Sequence, residues 1–426
     1  MRRSSAGAVF LTVVVDLVGF GIVLPLLPRY ARDYDASGAE IGMLMACFSA
    51  MQLLFAPVWG RISDRVGRRP VLLVGLAGSV VFYSVFALAD SLAWLFVARI
   101  GAGIAGATIS ISAAYIADVT GPAERARGMA LIGAAFGIGF TVGPPIGGYS
   151  VHLGQVLAER GVLDPGIARG LPGLVAAALS LVSFLWTFAA VAEPERHRAE
   201  PRRLLDLDAL RGSAAVPGVS LLLLFSFLSV FSFSNLEGTL SLMLHDRFLY
   251  DERSMGLVFL FIGFSLALAQ GLLVRRLVRR FGERTFVRAG LALMSLGLIG
   301  IAAADGLPLL LPSLAVAVTG FGAVTPSLSS LVSQRAHPER QGAMMGLAQS
   351  VSALGRILGP FVGNVVYEAR AERTGPAYWL ECLFAGAEHH RRPYLVAAAI
   401  LAAMAIASAA LPRSEGGPES GAGGGS

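Results

Sequence analysis

Lysine is missing from this chain: all 34 basic residues are arginine, usage that points to a GC-rich bacterial genome. Charge of either sign is scarce, at 15% of 426 residues, and the mean hydropathy is +0.68. A soluble domain of this size is not so apolar, which leaves a polytopic membrane protein. Cysteine is nearly absent. Cys47 in an apolar run and Cys382 in a loop exclude a disulfide framework and a zinc site. No H-E-x-x-H, G-x-S-x-G or phosphate-binding loop occurs. The six histidines, His152, His197, His245, His337, His389 and His390, all fall in or beside expected loops. An enzyme is therefore not expected, nor a cofactor or bound metal. The formal charge of +6 resides in short loops between apolar runs, so lipid headgroups are the expected partner and nucleic acid is not.

What the chain has is long apolar runs. A bilayer core of about 30 Å needs about 20 residues of helix, and windows of that length give twelve expected spans. The first six are Ala8–Pro28, Glu40–Trp59, Pro70–Ala89, Ser91–Ile116, Arg127–Tyr149 and Pro172–Val191. The second six are Pro217–Leu240, Ser254–Val274, Arg284–Ala304, Leu307–Val332, Gln341–Tyr367 and Pro393–Leu411. The first run contains Asp16 and lacks a small-x-small cleavage site, so it reads as a retained helix, not a leader. Placing both termini in the cytoplasm puts 22 arginines inside and 10 outside, with Arg99 and Arg356 at membrane depth. That asymmetry favours both termini inside, in a bacterial cytoplasmic membrane.

The chain repeats itself at half its length. DRVGRRPVLLVGLAG from Asp64 aligns with RRFGERTFVRAGLAL from Arg279, PAERARGMALIG from Pro122 with HPERQGAMMGLA from His337, and GPPIGGY from Gly143 with GPFVGNV from Gly359. The expectation is an all-α membrane protein of two pseudo-symmetric six-helix bundles, residues 1–192 and 217–412. A cytoplasmic linker over 193–216 carries Arg196, Arg198, Arg202, Arg203 and Arg211 with Asp206 and Asp208. A Gly-rich tail over 413–426 has nothing to bury.

Between the second and third runs stands GRISDRVGRRP, a short basic connector whose residues Gly60, Asp64, Arg65, Gly67, Arg68 and Arg69 match G-x-x-x-D-R-x-G-R-R. Farther along, GIGFTVGPPIGG matches G-x-x-x-G-P-x-x-G-G through Gly139, Gly143, Pro144, Gly147 and Gly148. RIGAGIAGATISISAAYIAD carries Arg99, Gly103 and Gly106, with Ala102 where glutamine is common, and DLVGFGIVLPLLP opens on Asp16. These stretches resemble the major facilitator superfamily, specifically its twelve-helix drug:proton antiporters, and share long parts of the text of tetracycline-efflux proteins. The resemblance implies a monomeric secondary transporter driven by the proton gradient. It also implies that Asp64 meets a helix end of the other half, that Arg68 bridges to Asp118, and that the bend at Pro144 closes the outer side. Where tetracycline exporters carry three polar residues, this chain has Phe82, Leu266 and about Met294, which makes tetracycline a poor expectation and leaves coupling to Asp16 or Glu237.

Charges at membrane depth cost about 2.5–3.5 kcal/mol each on insertion scales and are usually functional. Asp16 lies near the middle of the first run and is the expected proton-coupling carboxylate; a structural acid is the plainer alternative. Arg99 either tunes such an acid or forms a structural pair. Glu237 and Arg356 are expected in the outer half, Glu237 close enough to the surface to snorkel. Gln52, Phe136, Phe231, Asn235, Phe259, Gln349 and Arg356 are candidates for a central cavity, although amides at depth more often join helices and most phenylalanines pack. The expected function is export of a small lipophilic or amphipathic compound in exchange for protons. A metabolite, sugar or lipid carrier is the alternative, and a non-transporting receptor a more distant one.

Overall fold

The computed structural model describes residues 2–106, 108–120, 122–194, 218–274, 280–335, 341–368 and 388–410. Most of the linker, the C-terminal tail, Cys382, His197 and His337 lie outside the described residues.

The first half holds α1 (Arg2–Val23, continued by Leu27–Arg32), α2 (Gly38–Val66), α3 (Arg68–Ala87), α4 (Leu92–Ala105, continued by Thr108–Val119), α5 (Pro122–Glu159) and α6 (Pro165–Ala190). The second holds α7 (Val219–Phe248), α8 (Glu252–Leu268, ending in a π-helical turn), α9 (Glu283–Ala303), α10 (Leu307–Gln334), α11 (Gln341–Glu368) and α12 (Arg392–Ala407). Among the described residues ten helices are long and apolar enough to cross a membrane on their own, and α11 and α12 complete twelve. Within the halves α1 packs on α5 and α6, α7 on α11, and α9 on α10 and α12. Between them α5 meets α8, α2 meets α11, and the end of α1 meets α7.

Local chemistry sets the helix starts. Ser37 and Glu40 form a reciprocal capping box on α2, and Asp164 accepts from the Gly166 amide at the head of α6. Asp251 does the same for α8, accepting from the Ser254 amide at 3.0 Å. The hydrogen bonding from Ser254 holds its carboxyl below the usual range.

Several helices outrun the expected spans. Helix α7 continues to Phe248 rather than stopping near Leu240, and α5 reaches Glu159 rather than Tyr149. A hydropathy window sees only what hydrocarbon covers, whereas 30 residues of α7 rise about 45 Å and stand clear of it. The connector expected over Gly60–Pro70 contracts to one residue. The helices on either side run to Val66 and restart at Arg68, and Gly67 turns the chain with φ +120°, a conformation that only glycine adopts readily.

Candidate functional site

Three places bring together the residues that carry chemistry. The first is the arginine-rich end. Arg68 reaches Asp118 at 2.9 Å, Asp64 at 2.7 Å and the Ser63 hydroxyl at 2.6 Å, tying α2, α3 and α4 into one corner. Asp64 therefore pairs inside its own half here, not with a helix of the other. Glu193, which sequence reading passed over as the first residue of a linker, caps α3. Its two oxygens accept from the amides of Arg68 at 2.7 Å and Arg69 at 2.9 Å, where the helix dipole favours an anion. Only the fold brings it there from 125 residues away. Arg65 lies in the last turn of α2, and Gly60 in the turn before it with open space beside it.

The second place is the opposite end, where the halves meet. Arg29 on α1 contacts Glu252 and the His245 ring nitrogen Nδ1, each at 2.9 Å. Arg32 donates to both oxygens of Asp246 at 2.7 Å and lies 3.8 Å from Glu368. Glu368 in turn accepts from the Gly38 amide, and Tyr367 donates to Asp246 at 2.8 Å. Two arginines of the first half are thus held by three acids and a histidine of the second. None of these residues belongs to a motif.

Glycines fix how closely backbones approach below this clamp. Gly139, Gly143 and Gly147 face Leu17, Gly21 and Ile22 of α1, and a Cβ on Gly143 would stand 2.7 Å from the Gly21 Cα. The other face of α5 serves the second half: Gly148 abuts Glu252 and Arg253 of α8, Gly256 abuts Pro144, and Gly263 abuts Thr141. Gly42 likewise seats α2 on Phe361 of α11. Close helix packing and closure of this end are therefore both served by the Gly139–Gly148 stretch. Replacing Gly143 by valine is expected to destabilise the first half by about 1–3 kcal/mol, since both neighbours are backbone and cannot yield. Thermal unfolding in detergent measures it, and an unchanged midpoint would show that α1 moves aside.

The third place is the interior. Asp16 is 9% exposed and accepts from the Ser79 hydroxyl of α3 at 3.2 Å. Arg99, 2% exposed, stacks on Phe48 at 4.5 Å and Phe20 at 5.6 Å, contacts worth about 2 kcal/mol when desolvated. Among the described residues it has no carboxylate partner, unlike the acid pairing that was one expectation for it. Glu237 and Arg356 sit on α7 and α11, which pack together, and feel each other's charge. Glu237 lies 11 residues, about 16 Å by helical rise, before the end of α7.

The cavity candidates separate. Gln52 donates to the Gly106 carbonyl at 3.0 Å, and Asn235, 1% exposed, donates to the Pro393 carbonyl at 3.3 Å. Both join helices. Phe231 and Phe259 are buried in packing, whereas Phe136 is 37% exposed. Gln349 lines a cleft between α7, α10 and α11 with Ser226, Ser229, Thr325, Ser329 and Ser352. Phe82 fills the space beside Gly101 of α4, and Met294 is buried, so two of the positions that are polar in tetracycline exporters are packing positions here.

The comparisons agree with this architecture. The chain is 32% identical over 399 residues to the class C tetracycline resistance protein of Escherichia coli, covering 90% of this chain and 96% of that one. It superposes on the crystal structure of the human organic anion transporter MFSD10 with a TM-score of 0.67 and 28% identity, over 96% and 99% of the two chains. A bacterial homologue of the human lysosomal transporter Spinster, solved inward-facing and unoccupied, shares the fold at a TM-score of 0.75 and 17% identity, over 96% and 97%. Residues 9–360 match the Major Facilitator Superfamily, and the chain is an integral membrane transporter of that family.

Proposed function

We propose that this transporter exports a small amphipathic compound in exchange for protons, its two halves rocking about a central site to expose it alternately to either side. The observation that carries the reading is the gathering of inter-half contacts at one end, through Arg29, Arg32, Asp246, Glu252 and Glu368, while Asp64 pairs within its own half at the other. The arginine bias assigns the Arg61–Arg69 end to the cytoplasm, so the arrangement is the inward-facing one and the clamp is the outer gate. Asp64 would then exchange Arg68 for the other half as the inner gate closes. Asp16 and Glu237, carboxyl groups inside the spans, are the proton carriers in this scheme, and proton binding biases one state over the other. The direction of transport rests on the tetracycline resistance relatives. The protein acts as a monomer in a bacterial cytoplasmic membrane, with the proton gradient as its only energy source.

The test is exclusion of a panel of lipophilic cations, anions and neutral drugs from proteoliposomes, with and without an imposed pH gradient. Gradient-dependent exclusion is expected. Gradient-independent flux would remove proton exchange from the reading. A dedicated carrier of a hydroxyl-rich metabolite is the second reading, favoured by the cleft of Ser226, Ser229, Thr325, Ser329, Gln349 and Ser352.

A further inference from the structure

Among the described residues Arg99 is a buried guanidinium with no carboxylate to neutralise it. It carries five N–H donors, and among the described residues none of them makes a hydrogen bond; Nε is sealed off with no partner at all. Asp16, the other charge inside this half, is engaged by Ser79 and forms no ion pair with it. The polar groups that Arg99 feels are Cys47 and Tyr83, neither of them a carboxylate. The second half differs, because there the charge that Arg356 feels is a carboxylate, Glu237. A cation left so in a membrane helix is costly unless a partner arrives.

The surroundings say what kind of partner. The ring of Phe48 lies 5.0 Å from that of Phe20, Phe20 lies 5.8 Å from Phe140, and Phe140 lies 6.4 Å from Phe136. The first two rings hold Arg99 between α1 and α2, and the last is the exposed one. A file of aromatic rings therefore leads from Phe136, the exposed ring on α5, to the buried cation on α4. Aromatic faces hold a flat apolar body by stacking, and a guanidinium fork matches the two oxygens of a carboxylate or sulfonate.

We propose that Arg99 receives the anionic group of the transported compound, with the Phe20, Phe48, Phe136 and Phe140 rings holding its body, so that the substrate is an amphipathic aromatic anion. This rests on the chain being a transporter, and it names the substrate class that the reading above leaves open. The proton-carrying role proposed for Asp16 is untouched by it, since the two groups do not share a bond.

The experiment measures equilibrium binding to the full-length protein in detergent, using naphthalene-2-carboxylate, its uncharged carboxamide and 2-naphthylmethylammonium. The carboxylate is expected to bind at least tenfold tighter than the carboxamide, and the ammonium weakest. Arg99→Gln is expected to erase the preference for the carboxylate while leaving carboxamide binding in place. Arg99→Lys keeps the charge without the fork and should retain part of the preference. A wild-type protein that binds the carboxamide as well as the carboxylate, or that binds no carboxylate, overturns the proposal; so does Arg99→Gln with its preference intact. If neither variant folds, the three-probe comparison on the wild type still decides, joined by Phe136→Leu, which should weaken all three probes equally. Binding needs no gradient. Carboxylate binding without gradient-driven flux would sink proton exchange and leave this site standing, and driven export of cations alone would do the reverse.

Discussion

Asp16→Asn is expected to fold and bind substrate as the wild type does, and to lose gradient-driven transport by two orders of magnitude or more. Asparagine keeps the size of the side chain and the oxygen that accepts from Ser79 at 3.2 Å, so packing between α1 and α3 is unchanged. What it loses is the ability to carry a proton. Asp16 is 9% exposed and among the described residues no arginine is bonded to it, so no ion pair among them would be disturbed by the change. The effect should therefore appear in coupling, not in stability. Proteoliposomes loaded at one pH and diluted into another give the driven rate, and substrate exchange without a gradient gives the undriven one. Undiminished driven transport would move the proton to Glu237, the other carboxyl inside the spans.

Removing the clamp should shift the balance between the two conformations. Arg32→Gln loses Asp246 and Glu368 together. These side chains are about a quarter to a third exposed, which places each pair between the exposed limit of 0.2–1 kcal/mol and the buried limit of 3–5 kcal/mol. A loss of about 1.4 kcal/mol would change the ratio of closed to open outer gates tenfold. Spin labels at Val162 and Leu307, on a background without the two native cysteines, report it as a longer distance population. Asp246→Asn should act in the same direction, because it removes the charge that Arg32 pairs with across the gate. An unchanged distribution in both variants would mean that the glycine contacts of α5 with α8 and of α2 with α11 hold the gate without charge.

The parts of the molecule that were legible in its sequence are those whose signal is local. Apolar windows anticipated the twelve helices, ten of them long and apolar enough to cross a membrane among the described residues, and Asp16 and Arg99 announced themselves as charges where the bilayer tolerates few. The contact of Arg68 with Asp118 was available from the motif the chain resembles. The outer clamp was not legible, because Arg29, Arg32, Asp246, Glu252 and Glu368 look like ordinary charges at helix ends until two stretches more than 200 residues apart are laid together. Glu193 was hidden for the same reason. Asn235 and Gln52 could not be told from cavity residues, since an apolar-all-round helix does not say which way it is turned, and both prove to bond backbone carbonyls of neighbouring helices.

The glycine contacts have a further meaning. Gly139, Gly143 and Gly147 of α5 lie against α1, and Gly355, Gly359 and Gly363 of α11 lie against α7 in the same order. The partners across the gate correspond as well, α5 touching α8 while α11 touches α2. The arrangement is that of an isologous two-fold dimer written on one chain, with its axis through the space where the halves meet. In such a pair the two contacts are copies of each other. Halves that rock as rigid bodies about that axis open both, so widening one side of the gate, at Gly256 against Pro144, also loosens its copy, at Gly42 against Phe361.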